Sequence, residues 1–139
     1  MKVFKLILAG LLFFVAYTVQ AEDGVSRSVF TSAIEEREPV DQITQLTNDK
    51  SIIFFFTEIR GMRGHVISHR WQQGGETQAE VKFSIKGNRW RVWSSKNLRK
   101  DLSGKWTVLV MDEGENILAQ ESFDYTAVSV ENAVTGANN

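Results

Sequence analysis

The chain has 139 residues, 42% of them apolar, with 16 Lys+Arg against 17 Asp+Glu, no Cys and a single Pro. That length holds one ordinary globular domain at most. The formal net charge of −1 excludes a bulk electrostatic grip on nucleic acid or anionic lipid, and the lack of Cys excludes disulfide support.

The chain opens Met1-Lys2-Val3-Phe4-Lys5, continues through an apolar stretch from Leu6 to Val19, and reaches Gln20-Ala21 before the polar Glu22-Asp23-Gly24. A charged start, an apolar middle and a small residue at the end are the layout of a secretory signal, so residues 1–21 are expected to be cleaved after Ala21. The apolar stretch, 14 residues long, is shorter than the roughly 20 that a spanning helix needs, so no membrane span is expected after cleavage. The expected destination is the periplasm or the exterior. Without Lys2 and Lys5 the mature chain keeps 14 basic residues against 17 acidic, a net charge of −3.

From Val25 onward apolar and polar residues alternate with period two, broken by Gly or Asn clusters at intervals of roughly ten residues. Strands are predicted near Ser26–Glu36, Ser51–Ile59, His65–Gln72, Gln78–Lys86, Arg89–Ser94, Lys105–Asp112 and Ile117–Val128. Gln73-Gly74-Gly75, Lys86-Gly87-Asn88 and Glu113-Gly114-Glu115-Asn116 read as hairpin turns. The segment from Glu38 through Lys50 lacks alternation and carries the only Pro, Pro39. It reads as a crossover loop between sheets, with room for one helical turn at Val40–Leu46. Ser95–Ser103 reads as a second long connection, and 131–139, small and polar, as a disordered tail. The expected fold class is all-β, a seven-stranded antiparallel β-sandwich over residues 22–130, immunoglobulin or fibronectin-III-like.

Alternation also assigns faces. Ala79, Val81, Phe83 and Ile85 oppose Glu80, Lys82, Ser84 and Lys86. Trp106, Val108 and Val110, then Ile117, Ala119, Phe123 and Tyr125, complete the predicted core. The strand Ser51–Ile59 departs from this pattern. Ile53, Phe55 and Ile59 line one face while Ile52, Phe54 and Phe56 line the other, so something besides the opposing sheet must cover the second face. The 40–50 loop and a partner protein are the two candidates.

The ordered series Glu38-Pro39-Val40-Asp41, Phe54-Phe55-Phe56-Thr57-Glu58, His69-Arg70-Trp71, Arg89-Trp90-Arg91-Val92-Trp93-Ser94-Ser95-Lys96-Asn97-Leu98 and Gly104-Lys105-Trp106-Thr107-Val108 resembles an uncharacterised bacterial family, domain of unknown function 2914. The likeness spans roughly Val29 to Tyr125. It implies an exported or membrane-tethered bacterial domain, and it brings no established activity or catalytic residues to transfer. The closing hairpin also resembles the last two strands of bacterial immunoglobulin-like modules, which bears on fold alone.

No catalytic constellation stands out. No Gly-x-Ser-x-Gly elbow occurs, and carboxylate pairs fall on predicted solvated faces, so a hydrolase is a remote alternative. The only histidines, His65 and His69, would lie about 13 Å apart along a strand, too far to share a metal. No metal site and no cofactor are expected. The informative pattern is the interleaving of Arg60, Arg63, His69, Arg70 and Trp71 with Arg89, Trp90, Arg91 and Trp93. Guanidinium groups stack on indole faces while hydrogen-bonding acidic or hydroxyl groups. Arg60, His69, Arg70, Arg89, Arg91 and Trp93 are therefore the candidate ligand-binding set, suited to a sugar chain, an acidic glycan or a peptide. Ile52, Phe54 and Phe56 are the candidate partner-binding set. The expected function is a non-catalytic interaction or assembly module of the bacterial cell envelope, meeting an envelope protein through the apolar strand or a free sheet edge. The alternative is a glycan- or peptidoglycan-binding module.

Overall fold

A computed structural model describes residues 23–129. The expected signal segment 1–21 and the expected tail 131–139 lie outside the described residues. Among the described residues no helix is long and apolar enough to cross a membrane. The strands are β1 (Gly24–Thr31), β2 (Ile34–Glu35), β3 (Glu38–Pro39), β4 (Gln45–Thr47), β5 (Ile52–Arg60), β6 (Val66–Gln73), β7 (Glu76–Ser84), β8 (Arg89–Asn97), β9 (Gly104–Met111) and β10 (Ile117–Thr126). The fold is all-β and sandwich-like, with ten strands in three sheets in place of the expected seven in two.

One sheet has the order β1-β5-β8 and the other β4-β10-β9-β6-β7, while β2 and β3 make a two-stranded ribbon. Seven long strands coincide with the alternating runs, except that the first expected strand, Ser26–Glu36, ends at Thr31 and its last residues form β2, while β3 and β4 come from the Glu38–Lys50 stretch. The expected helical turn at Val40–Leu46 does not form. That chain runs extended beside β10 in parallel, with Asp124 N donating to Thr44 O at 3.0 Å and Asn48 N to Thr126 O at 2.8 Å. A single helical turn leaves most of its backbone groups unpaired, whereas the edge of β10 offers partners.

Lys86-Gly87-Asn88 is likewise no hairpin turn, because β7 and β8 belong to different sheets. It crosses the sandwich beside the β5–β6 connection, and Gly61 N donates to Asn88 O while Gly64 N donates to Ile85 O, both at 2.8 Å. The connection after β8 is shorter than expected, since Ser95 to Asn97 still pair with β5.

The sheets meet over Phe30, Ile53, Phe55, Ile59, Ile67, Trp71, Val92, Trp106, Val108, Val110, Phe123 and Tyr125, all buried. Phe30 packs tilted or edge-on against Phe55, Phe123 and Trp71, with ring centres 4.8, 4.7 and 5.9 Å away, the geometry aromatic quadrupoles favour. Ile117 is a correction to the predicted core. It lies at the β9–β10 hairpin beyond a register shift and is 57% exposed. Ser28 Oγ donates to Glu121 across the sheets at 2.9 Å, closing the β1/β10 flank. On the other flank the edges β7 and β8 have no strand beside them among the described residues.

On the outer face of β5 Phe56 is buried within the chain, under the Arg27 guanidinium that binds the ribbon, while Phe54 is half-buried and Ile52 is 45% exposed. Asp41 fixes the base of the ribbon, accepting from Thr31 Oγ1 and Ser32 N, both at 2.7 Å. Glu38 then ties the ribbon to Arg27 of β1 and Arg91 of β8, at 2.7 and 2.6 Å. Beneath it Phe56 is fully buried, with the Arg27 guanidinium 4.9 Å over its ring. The two-residue turn of the ribbon holds Glu36 and Arg37 at φ 49° and 63°, while the β6–β7 hairpin meets the same demand with Gly74 and Gly75 at 59° and 81°. Positive φ costs a side-chain-bearing residue roughly 1–2 kcal/mol. The double variant Glu36→Asn, Arg37→Gly is expected to stabilise the fold by about 1 kcal/mol, after the entropy lost at glycine. Urea unfolding should show this as a higher midpoint at unchanged slope.

Candidate functional site

The six residues of the candidate ligand-binding set fall into three places. Arg60, Arg89, Arg91 and Trp93 share the outer face of the β1-β5-β8 sheet, following from the register Arg60↔Arg89, Glu58↔Arg91 and Phe56↔Trp93. Arg70 is on the outer face of the other sheet, bonded to Glu80 at 3.3 Å and Glu115 at 3.2 Å. His69 is in neither surface: it is fully buried between the sheets. Strand parity explains the division, because β6 and β8 belong to different sheets and neighbours in sequence face opposite ways.

His69 belongs to a buried polar chain. Trp71 Nε1 donates to Ser94 Oγ at 3.1 Å, and Ser94 Oγ lies 2.8 Å from His69 Nδ1. His69 Nε2 lies 3.0 Å from Thr57 Oγ1, which donates to Val92 O at 3.5 Å. With the proton on Nε2 every member donates in one direction, from the indole to the carbonyl, and no buried side-chain polar atom among the described residues is left without a partner. A second proton on the ring would set a donor against the Ser94 hydroxyl proton. Burial pushes the His69 imidazole down to about 3 from its ordinary 6.5. The Ser94–His69 pair is thus a core hydrogen bond, closed to substrate and lacking an orienting acid.

The exposed site is the arginine face. Glu58, only 3% exposed, accepts from Ser26 Oγ at 2.7 Å, Arg27 at 3.0 Å, Arg60 Nε at 3.2 Å and Arg89 Nε at 2.8 Å. Burial by itself raises its carboxyl, but the bonds from Ser26, Arg27 and Arg89 outweigh that and hold it at about 2. Glu38 is held at about 2 by hydrogen bonds from Arg27 and Arg91. Two carboxylates are thereby shared among four guanidiniums. The surplus positive charge is borne at the surface, where the side chains of Arg60 and Arg89 are 40% and 48% exposed, with Trp93 half-buried on the same face. Arg27, Glu38 and Glu58 escape sequence reasoning, since only the pairing of β1 with β5 and the folding back of the ribbon bring them together. The one available signal was parity, which sets Glu58 in line with Phe56 and Arg60.

In the candidate partner-binding set, Phe56 is a correction, being fully buried beneath the ribbon. Phe54 is half-buried, and Ile52 is 45% exposed. Among the described residues no group of three or more His, Cys, Asp and Glu is placed to hold a metal ion.

The described residues therefore define an all-β, sandwich-like domain with a cationic outer face. Residues 65–125 match the model of the family described as Protein of unknown function (DUF2914). It is the family that the motifs resemble, although the match begins at residue 65, and the quoted residues 38–41 and 54–58 precede it. No curated protein matches the chain.

The imidazole makes stability pH-dependent in a defined window. The unfolded state binds a proton below its ordinary pKa of 6.5 and the folded state only near 3, so stability is present above 6.5 and is lost as pH falls below it. Between pH 7 and 5 the loss is about 2 kcal/mol. Glu38 and Glu58 add to it only in more acid solution, below their ordinary 4.5. Urea unfolding at pH 7 and 5 should show this loss, and His69→Gln, less stable at pH 7, should flatten the dependence.

Proposed function

We propose that this chain is a non-catalytic interaction module of the bacterial cell envelope, carried on an immunoglobulin-like sandwich. The topological part of the reading rests on strand order: three long strands, β1-β5-β8, face four, β10-β9-β6-β7, the three-and-four division of immunoglobulin-type and related sandwiches. The envelope location rests on the signal-like N-terminus and on the bacterial family that the motifs resemble.

The binding surface in this reading is the outer face of β1-β5-β8, and its ligand is an anionic chain, an acidic glycan or an acidic peptide. The observation that carries it is the sharing of two carboxylates among four arginines. A guanidinium has five N–H donors, and the acceptors on this face engage only some of them. Carboxylates approaching Arg60 and Arg89 would complete bidentate pairs at low reorganisation cost, since Glu58 already fixes both side chains. Trp93 adds an indole surface for a sugar ring or an aliphatic stem.

Retention on immobilised polyglutamate and on purified peptidoglycan tests the reading. Wild-type protein should be retained on at least one of them and released by added salt. Arg60→Gln with Arg89→Gln should weaken retention by about tenfold or more, the scale of one lost charge-assisted pair. Arg99→Gln, at an exposed pair with Asp101, should not. Wild-type protein that ignores both matrices, or a double variant retained like wild type, contradicts the reading.

A further inference from the structure

Strand β7 is an edge of the larger sheet, and its free side is chemically specified. Ile85 N donates to His65 O at 2.9 Å, and the register Ile67↔Phe83, His69↔Val81 and Trp71↔Ala79 continues from there. By the alternation of an antiparallel ladder, residues 79, 81, 83 and 85 turn their backbone groups toward β6, while Glu80, Lys82 and Ser84 turn theirs outward. The side chains alternate as well. Ala79, Val81 and Phe83 are half-buried toward the core, and Glu80, Lys82 and Ser84 are exposed on the outer face.

We propose that the edge of β7 pairs with the β7 edge of a second copy of this chain, antiparallel and centred on Val81, joining two larger sheets across a twofold axis. This rests on the interaction-module reading and names one partner for it. With Val81 opposite Val81, Glu80 of each copy lies directly opposite Lys82 of the other, at positions whose backbone groups point outward. Four main-chain hydrogen bonds and two opposite-charge cross-strand pairs then form together. Registers shifted by one residue on each chain set Glu80 against Glu80 or Lys82 against Lys82. They lose this complementarity and bring like charges together. Within each copy Arg70 already bonds Glu80 at 3.3 Å, so the pairing extends a row Arg70, Glu80, Lys82 of alternating sign across the junction. It also covers the half-exposed Val81 and Phe83 at the open flank. The bulge where the pairing slips between Trp71 and Gln72 ends the regular edge on one side, and the crossing at 85–88 ends it on the other. That length suits a weak, reversible dimer.

Sedimentation of the purified chain over concentrations up to about 1 mM tests the pairing. Wild-type protein should move from monomer to dimer mass. Lys82→Glu alone and Glu80→Lys alone should each associate at least about tenfold more weakly, and mixing the two should restore a dimer of one copy of each, because every cross-strand pair is then again of opposite sign. Lys82→Pro removes an outward N–H at an edge position where proline is tolerated, so it should stay folded by circular dichroism and monomeric. A wild-type monomer throughout the range, a Lys82→Glu dimer as tight as wild type, or no recovery in the mixture overturns the proposal. None of these outcomes depends on Arg60 or Arg89, so loss of the dimer with polyglutamate or peptidoglycan retention intact would leave the arginine-face reading standing.

Discussion

Strand β5 carries apolar residues on both faces, and at Phe56 the second face is closed by Arg27 and the ribbon that Arg27 binds. Ile53, Phe55 and Ile59 meet the opposing sheet, whereas Phe56 points away from it and is still fully enclosed. The ribbon from Ile34 to Pro39 is too small to hold itself in place by apolar contact. It is held by charge, through Glu38 to Arg27 and Arg91. The guanidiniums in turn need an acceptor beneath them, and Glu58 supplies it in the row next to Phe56. The cationic face is thus a consequence of covering an apolar strand with a polar clamp. Four cations are recruited and two anions return.

Between the sheets the same strand poses the opposite difficulty. Thr57 points into an apolar core, as do His69 and Ser94. An unpaired hydroxyl there would cost about 1–3 kcal/mol. Linking the three with Trp71 and the Val92 carbonyl satisfies all of them in one direction. The chain of bonds crosses from β6 to both β5 and β8, so it also pins the relative position of the two sheets. A tautomer-specific network tolerates no slip in register, which an apolar core of similar volume would permit.

Much of this was legible in the residues. The strong alternation in Gln78–Lys86 and Lys105–Asp112, and the Gly-Gly turn at 74–75, place β7, β9 and the β6–β7 hairpin close to where they form. The doubly apolar run around Phe54–Phe56 announced that a cover was needed. What formed the cover was not legible, because Glu36-Arg37 carries none of the Gly or Asn that normally signals a two-residue turn. The arginine cluster was half legible. Parity along Arg89–Trp93 set Arg89, Arg91 and Trp93 on one face correctly, but no local pattern distinguishes sheets. His69 and Arg70 were therefore grouped with side chains from which a whole sandwich layer separates them. Lys86-Gly87-Asn88 misled for the same reason, since a turn that joins two sheets has the same composition as one that joins two strands.

Whether the shared carboxylates leave Arg60 and Arg89 with donors to spare decides whether the arginine face binds a ligand or only clamps the ribbon. Nitrogen NMR of the arginine side chains, with polyglutamate titrated into the protein, reads those donors individually. Because the Nε–H groups of Arg60 and Arg89 already donate to Glu58, their Nη–H resonances should shift first and saturate together, ahead of those of the exposed Arg99 that pairs with Asp101. Uniform small shifts across all arginines, or shifts led by Arg99, would mean that Glu38 and Glu58 already satisfy the face and that it serves only to hold the ribbon down.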